Sequence, residues 1–129
     1  MILIDTHILL WILSDSSRLT KNAMNALNTN DACVSIASLW EMAIKASLKR
    51  EDKRLELDES IQEIAETCVV QGIDIIPITP DDCQRIRMLP HHHGDPFDRI
   101  IMAQAIERDL SLITKDENIW KYDEVKKIW

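Results

Sequence analysis

Five acids stand out by their position relative to apolar runs. Asp5 closes the run beginning at Ile2, and Asp116 lies two residues past Leu110–Thr114. Asp95 and Asp98 open one helical segment, and Glu41 falls in the first turns of another. Strand ends and helix starts can meet at one edge of an α/β fold. Several carboxylates in one low-dielectric cleft repel each other strongly unless a divalent cation neutralises them. An all-oxygen donor set suits Mg²⁺ or Mn²⁺ rather than zinc. The matching chemistry is metal-assisted phosphodiester hydrolysis, in which the ion polarises phosphate, activates water and steadies the leaving oxygen.

The elements that would position these acids are readable from periodicity. Ile2–Asp5 reads as a buried strand and His7–Leu13 as a short helix. Thr20 to about Asn28 has helical spacing, and Ala32–Ser35 is a second strand. Ser35 or Ser38 then opens a helix to about Lys49. Ile36, Leu39, Trp40, Ala43, Ile44 and Leu48 form one apolar stripe, with Trp40 read as a core or interface anchor. Ser38-x-x-Glu41 also fits a capping box. Asp58 can cap the next helix, which Gly72 ends in a left-handed cap. Ile73–Ile78 reads as a strand placed at an edge or bulge by Pro77. Thr79-Pro80 and Asp95-Pro96 are cap-then-proline starts, the second helix running to about Asp109. Pro90–Gly94 is the loop between them. Leu110–Thr114 is a strand, and Tyr122–Ile128 a weak final one. Alternating strands and helices place the chain in the α/β class with a mainly parallel sheet.

Each acid also has a purely structural reading. Asp5 can cap the helix that begins at Thr6. Glu41 precedes Lys45 by four residues, a helical ion pair worth about 0.3–0.5 kcal/mol. Asp95 fits an N-cap, Asp98 complements the helix dipole above Ile101, Met102 and Ala105, and Asp116 can cap the turn after it. Adjacent histidines rarely converge on one ion, so in His91-His92-His93 the reading for His93 is a buried residue behind the ligands. Arg99 can contact phosphate or pair with a neighbouring acid. Lys45, Lys49, Arg50, Lys53 and Arg54 form either a solvated helix end or a rim for a phosphate backbone.

Composition sets the frame. The 129 residues are 46% hydrophobic, which argues for one domain with one core and against a disordered chain. No apolar run reaches the ~18–20 residues of a membrane span, and no secretory leader is visible, so a cytoplasmic protein is expected. Cys33, Cys68 and Cys83 are widely spaced and read as reduced, mostly buried thiols. Fifteen Lys and Arg against twenty-two Asp and Glu give a net charge of −7, which disfavours nucleic acid held by a broadly basic surface.

At the level of motifs, the sequence resembles the PIN-domain nucleases, specifically the VapC-type toxins of toxin–antitoxin pairs. ILIDTHILLWIL resembles the family's first strand and helix, with Asp5 at its first acid position. SIASLWEMAIK places Glu41 at the family's glutamate, HGDPFDRIIMAQA places Asp98 at the third acid, and LITKDENI places Asp116 at the fourth. The four segments occur in order and span nearly the whole chain. The resemblance implies a three-layer α/β/α sandwich and a single domain over residues 1–129. It implies a Mg²⁺- or Mn²⁺-dependent endoribonuclease with one or two ions. Asp5, Glu41 and Asp98 would be the main metal-site acids and Asp116 would assist. Asp95 would cap its helix or touch the site, and Thr6 and Thr114 would add hydroxyl contacts. It also implies a homodimer and a cognate antitoxin that covers the acidic groove.

Two competitors belong to other classes. A non-catalytic module on the same fold would use its acids to grip a basic partner. A receiver-like signalling domain needs an acceptor Asp at the end of the third strand, and Ile73–Thr79 ends in Pro-Ile-Thr.

Overall fold

A computed structural model describes residues 1–129. Five strands form one sheet: β1 (Ile2–Ile4), β2 (Ala32–Ser35), β3 (Ile73–Ile76), β4 (Ser111–Ile113) and β5 (Lys126–Ile128). Their spatial order is β3-β2-β1-β4-β5, and every pairing is parallel. Parallel strands need crossovers, supplied here by α1 (Thr6–Ser14), α2 (Lys21–Thr29), α3 (Ile36–Ala46), α4 (Ile61–Val70), α5 (Pro80–Met88) and α6 (Pro96–Glu107).

Strand alternation builds two apolar layers. Ile2, Ile4, Ala32, Val34 and Ile113 face a cluster completed by Ile8, Leu9, Ala23, Met42, Ile64 and Cys68. Leu3, Cys33 and Leu112 point the other way, onto Ile100, Ile101, Ala103 and Ala105 of α6 with Leu89, Ile119 and Tyr122. Both faces of the central strands are covered, which explains their unbroken apolar composition. The result is the α/β/α sandwich.

The strand register levels the ends that matter. Ile4 pairs with Val34 on one side and Ile113 on the other. The next residues, Asp5, Ser35 and Thr114, therefore leave three neighbouring strands at the same edge. Ser35, not Ser38, caps α3 by accepting from the Ala37 amide. The capping box expected at Ser38-x-x-Glu41 does not form, because Ser38 lies inside the helix with its Oγ taken by Thr6 Oγ1 at 2.9 Å.

Other boundaries shift for local reasons. Ser60, not Asp58, caps α4, in a reciprocal box with Glu63. Gly72 follows α4 at φ +76°, where its lack of a Cβ removes the steric penalty. β3 ends at Ile76, one residue before Pro77, and sits at the sheet edge as expected. α3 stops at Ala46, so Lys49–Arg54 follow the helix as a turn and extended segment. α5 and α6 are joined through the buried Asp82 carboxylate, which takes Arg108 Nη1 at 2.6 Å and Nη2 at 3.1 Å.

The apolar stripe on α3 divides between core and surface, with Leu39 in the core. Ile36, Trp40, Ile44 and Leu48 are exposed, Trp40 to 58%. The buried face is Ala37, Ser38, Leu39, Glu41 and Met42. Spacing identifies a helix face but not which face meets the core. Here Leu39 and Met42 enter the core from the same side that carries Ser38 and Glu41 inward.

Candidate metal centre

The acids are placed by the capping geometry that also explains them structurally. Asp5 is the N-cap of α1, its Oδ1 accepting from the Ile8 amide at 2.8 Å. Burial pushes its carboxyl above the usual range; the Thr114 hydroxyl, the Ile8 amide and His7 oppose that shift, and Asp116 adds to it. Asp95 caps α6, accepting from Phe97 and Asp98. Asp116 Oδ1 accepts from the amides of Asn118 and Ile119, capping the turn into the 3-10 helix Ile119–Lys121. Asp116's own amide donates to Thr114 Oγ1 at 3.1 Å.

His93 joins two of the acids. Its Nε2 lies 2.9 Å from Asp98 Oδ2 and 3.2 Å from Asp116 Oδ2. Ligand-type atoms of His93, Asp98 and Asp116 lie within 4.8 Å of one another. Asp98 is pushed up to about 7, first by burial and then by repulsion from Asp95 and Glu41, with His93 opposing and Asp116 reinforcing. Asp116 moves the other way. Burial alone would raise it, but the contact with His93 and the amides of Asn118 and Ile119 hold it below the usual range.

Glu41 enters from α3, only 2% exposed. Lys45 Nζ meets its Oε2 at 2.5 Å, which is the helical pair that the spacing suggests. Oε1 is buried with no hydrogen-bond partner. An unpaired carboxylate oxygen in such a place is costly unless something absent from the protein itself completes it. A cleft of about 130 Å³ lined by Asp5, His7, Lys115 and Asp116 opens beside the same acids. Glu41, Asp98, Asp116 and Asp95 thus share one electrostatic neighbourhood, and Asp116 extends it to Asp5. The donor set is carboxylate oxygen in excess of local cations, which fits a hard divalent ion.

Three expectations about flanking residues change. Arg99 touches no acid. It is 8% exposed, and its guanidinium donates to the carbonyls of Pro90, His93, Ile86 and Leu89 and to the Tyr122 hydroxyl. Burial excludes it from a phosphate. Thr6 spends its hydroxyl on Ser38 rather than on an acid. Lys45 is tied to Glu41, Arg50 to Asp52 and Arg54 to Glu56, leaving Lys49 and Lys53 as the rim cations outside ion pairs. Ser38 is marked in the sequence only as a helix-cap candidate, and Tyr122 carries no motif at all. Tyr122 is the one tyrosine in the chain, a weak signal that gains meaning only from its partners.

Comparison with known proteins agrees with this arrangement. The PIN domain matches residues 2–125. The chain is 30% identical over 120 residues to Ribonuclease VapC22 of Mycobacterium tuberculosis, covering 92% of this chain and 88% of that protein. Its fold is similar to DNA-bound VapBC from Salmonella typhimurium, with a TM-score of 0.69 at 12% identity, covering 98% of this chain and 97% of that one. VapBC2 from Rickettsia felis, bound to a promoter DNA fragment, gives 0.68 at 15% identity over the same shares. Sheet order, acid placement and these matches together make this chain a PIN-domain protein of the VapC family.

Proposed function

We propose that the protein is a divalent-metal-dependent endoribonuclease, acting as the toxin of a toxin–antitoxin pair, with residues 1–129 as one nuclease domain. The observation that carries this reading is Glu41 Oε1, buried without a partner beside an Asp98 carboxyl pushed up to about 7. Asp5, Glu41, Asp98 and Asp116 would hold one or two Mg²⁺ or Mn²⁺ ions, with Asp95 at the border. A bound ion supplies Lewis acidity at the RNA phosphate and a more acidic water. The residues do the rest. The Ile8 amide fixes the Asp5 carboxylate, the Asn118 and Ile119 amides fix Asp116, and Asp98 can hold or release a proton near neutral pH. Lys49 and Lys53 offer unpaired charge to the phosphate backbone.

The partners follow from surface chemistry. An acidic groove suits a basic segment of an antitoxin, and the net charge of −7 favours such a partner. The exposed stripe of α3 supplies an apolar face for a second copy, since a two-fold contact uses one patch twice. Three unpaired thiols suit the cytoplasm, and no helix is long and apolar enough to cross a membrane.

The test is RNA cleavage by purified protein with Mg²⁺ or Mn²⁺. Asp5→Asn, Glu41→Gln and Asp98→Asn should each lower the rate by about 100-fold or more, and chelator should abolish it. Unchanged cleavage in Asp98→Asn would sink the assignment. Antitoxin binding without cleavage in the wild type would favour the non-catalytic module.

A further inference from the structure

His93 is held at three points. Its backbone N–H donates to the Tyr122 hydroxyl at 2.9 Å, beside that of His92 at 3.0 Å. Its ring Nδ1 accepts from the Asp95 amide at 3.1 Å. A ring nitrogen that accepts a hydrogen bond carries no proton, so the imidazole proton sits on Nε2. That N–H hydrogen-bonds to Asp116 Oδ2 at 3.2 Å, and Asp98 Oδ2 lies 2.9 Å from the same nitrogen. A protonated Nε2 has no lone pair for a metal.

We propose that His93 is a positioning residue that holds the Asp98 and Asp116 carboxylates together for the ion and is not itself a ligand. This role rests on the metal-site reading above. His93 Nε2 sits between the two carboxylates, hydrogen-bonded to Asp116 and 2.9 Å from Asp98; without it, Asp98 and Asp116 would face each other directly, and repulsion would splay them. The support continues behind His93. The buried Tyr122 hydroxyl donates to the Pro90 carbonyl at 2.7 Å, and Arg99 donates to the same carbonyl at 2.8 Å. The His92 ring packs edge-on against Tyr122, centroids 5.0 Å apart. Arg99 and Tyr122 therefore clamp the loop that carries His93, a task that uses the buried guanidinium without any acid partner.

The experiment is Mn²⁺ binding to the full-length protein, by calorimetry and electron spin-echo spectroscopy. His93→Ala should weaken Mn²⁺ affinity by about 10–100-fold, the usual effect of losing a group that orients ligands. His93→Gln keeps an N–H near the Nε2 position and should return affinity to within a few-fold of wild type. Tyr122→Phe keeps the packed ring, loses the hydroxyl and should weaken binding in the same direction by a smaller factor. It stands in if His93→Ala does not fold. Wild-type Mn²⁺ should show no modulation from a coordinated imidazole nitrogen. Imidazole modulation, or undiminished affinity in both His93→Ala and Tyr122→Phe, would overturn the positioning role. Undiminished affinity in Asp98→Asn would instead overturn the metal-site reading itself.

Discussion

Asp98 and Asp116 both lie against His93 Nε2, at 2.9 and 3.2 Å, but only Asp116 accepts its hydrogen bond, and their carboxyls are shifted in opposite directions. Burial and repulsion from other acids dominate at Asp98, while the His93 hydrogen bond, helped by the Asn118 and Ile119 amides, tips the balance at Asp116. Neighbouring carboxyls pushed apart in this way mark a site built for charge handling rather than for stability.

The shift at Asp98 predicts a stability profile for the metal-free protein. Its folded value of about 7 lies above the unfolded value of 3.8, so the native state binds the extra proton. That stabilisation is complete below 3.8 and is lost as pH rises through about 7. In chelator, thermal unfolding should therefore move to lower temperature between these limits. Asp98→Asn should flatten that slope and raise the midpoint at pH 8. An unchanged slope in the variant would show that another group is responsible.

Metal binding should have the complementary dependence. An ion held by Asp98 would require it ionised, so on the proposed site Mn²⁺ affinity should fall about tenfold per pH unit below pH 7. Calorimetry in buffers of different ionisation enthalpy should detect close to one proton released near pH 6. Asp82 and Asp116 are held below the usual range, so their contributions are present above 3.8 and fade only at more acidic pH. The two windows are separable in one titration.

Asp82 tests the scaffold apart from the site. Its carboxylate accepts from Arg108, the Thr79 amide and Gln104 Nε2. Asp82→Ala strands a guanidinium and should cost about 3 kcal/mol in urea unfolding. Mn²⁺ affinity, measured below the unfolding transition, should stay within a factor of two.

The rim lysines test RNA contact. Lys49→Ala and Lys53→Ala should weaken RNA binding, each reducing the slope of log affinity against log salt by about 0.7. Arg50→Ala and Arg54→Ala, whose side chains already face Asp52 and Glu56, should change it less.

The α3 stripe tests self-association. Trp40 stands edge-on to Phe97 at 5.1 Å, its ring largely in solvent. Trp40→Asp with Ile44→Asp should convert a dimer to a monomer in sedimentation velocity at micromolar protein. A wild type that sediments as a monomer at that concentration would rule out this face as a stable interface.

Much of the arrangement is legible in the amino-acid sequence. Asp5 can be placed at a strand end because an apolar run stops on it, and Asp95-Pro96 at a helix start because two local rules agree there. Caps are local and survive tertiary context. The orientation of α3 is not legible in the same way, since Trp40 and Ile44 look like core residues to any periodicity argument. Their exposure follows from Glu41 and Ser38 being drawn to the strand ends. Arg99 misleads for a related reason. Beside Asp98 in sequence it looks like a partner for charge, but a helix turns adjacent residues about 100° apart. Its guanidinium finds carbonyls from a loop that no spacing rule connects to it.

The orphaned Glu41 oxygen has a consequence for the lifetime of the molecule. A ligand that binds only the folded chain stabilises it in proportion to the logarithm of its free concentration. The ion would then govern survival as well as reactivity. A chain stripped of metal would keep that buried oxygen unsatisfied and open more often, exposing cleavable backbone to proteases. Depletion of divalent ions would silence such a protein twice, first at the phosphate and then by hastening its degradation.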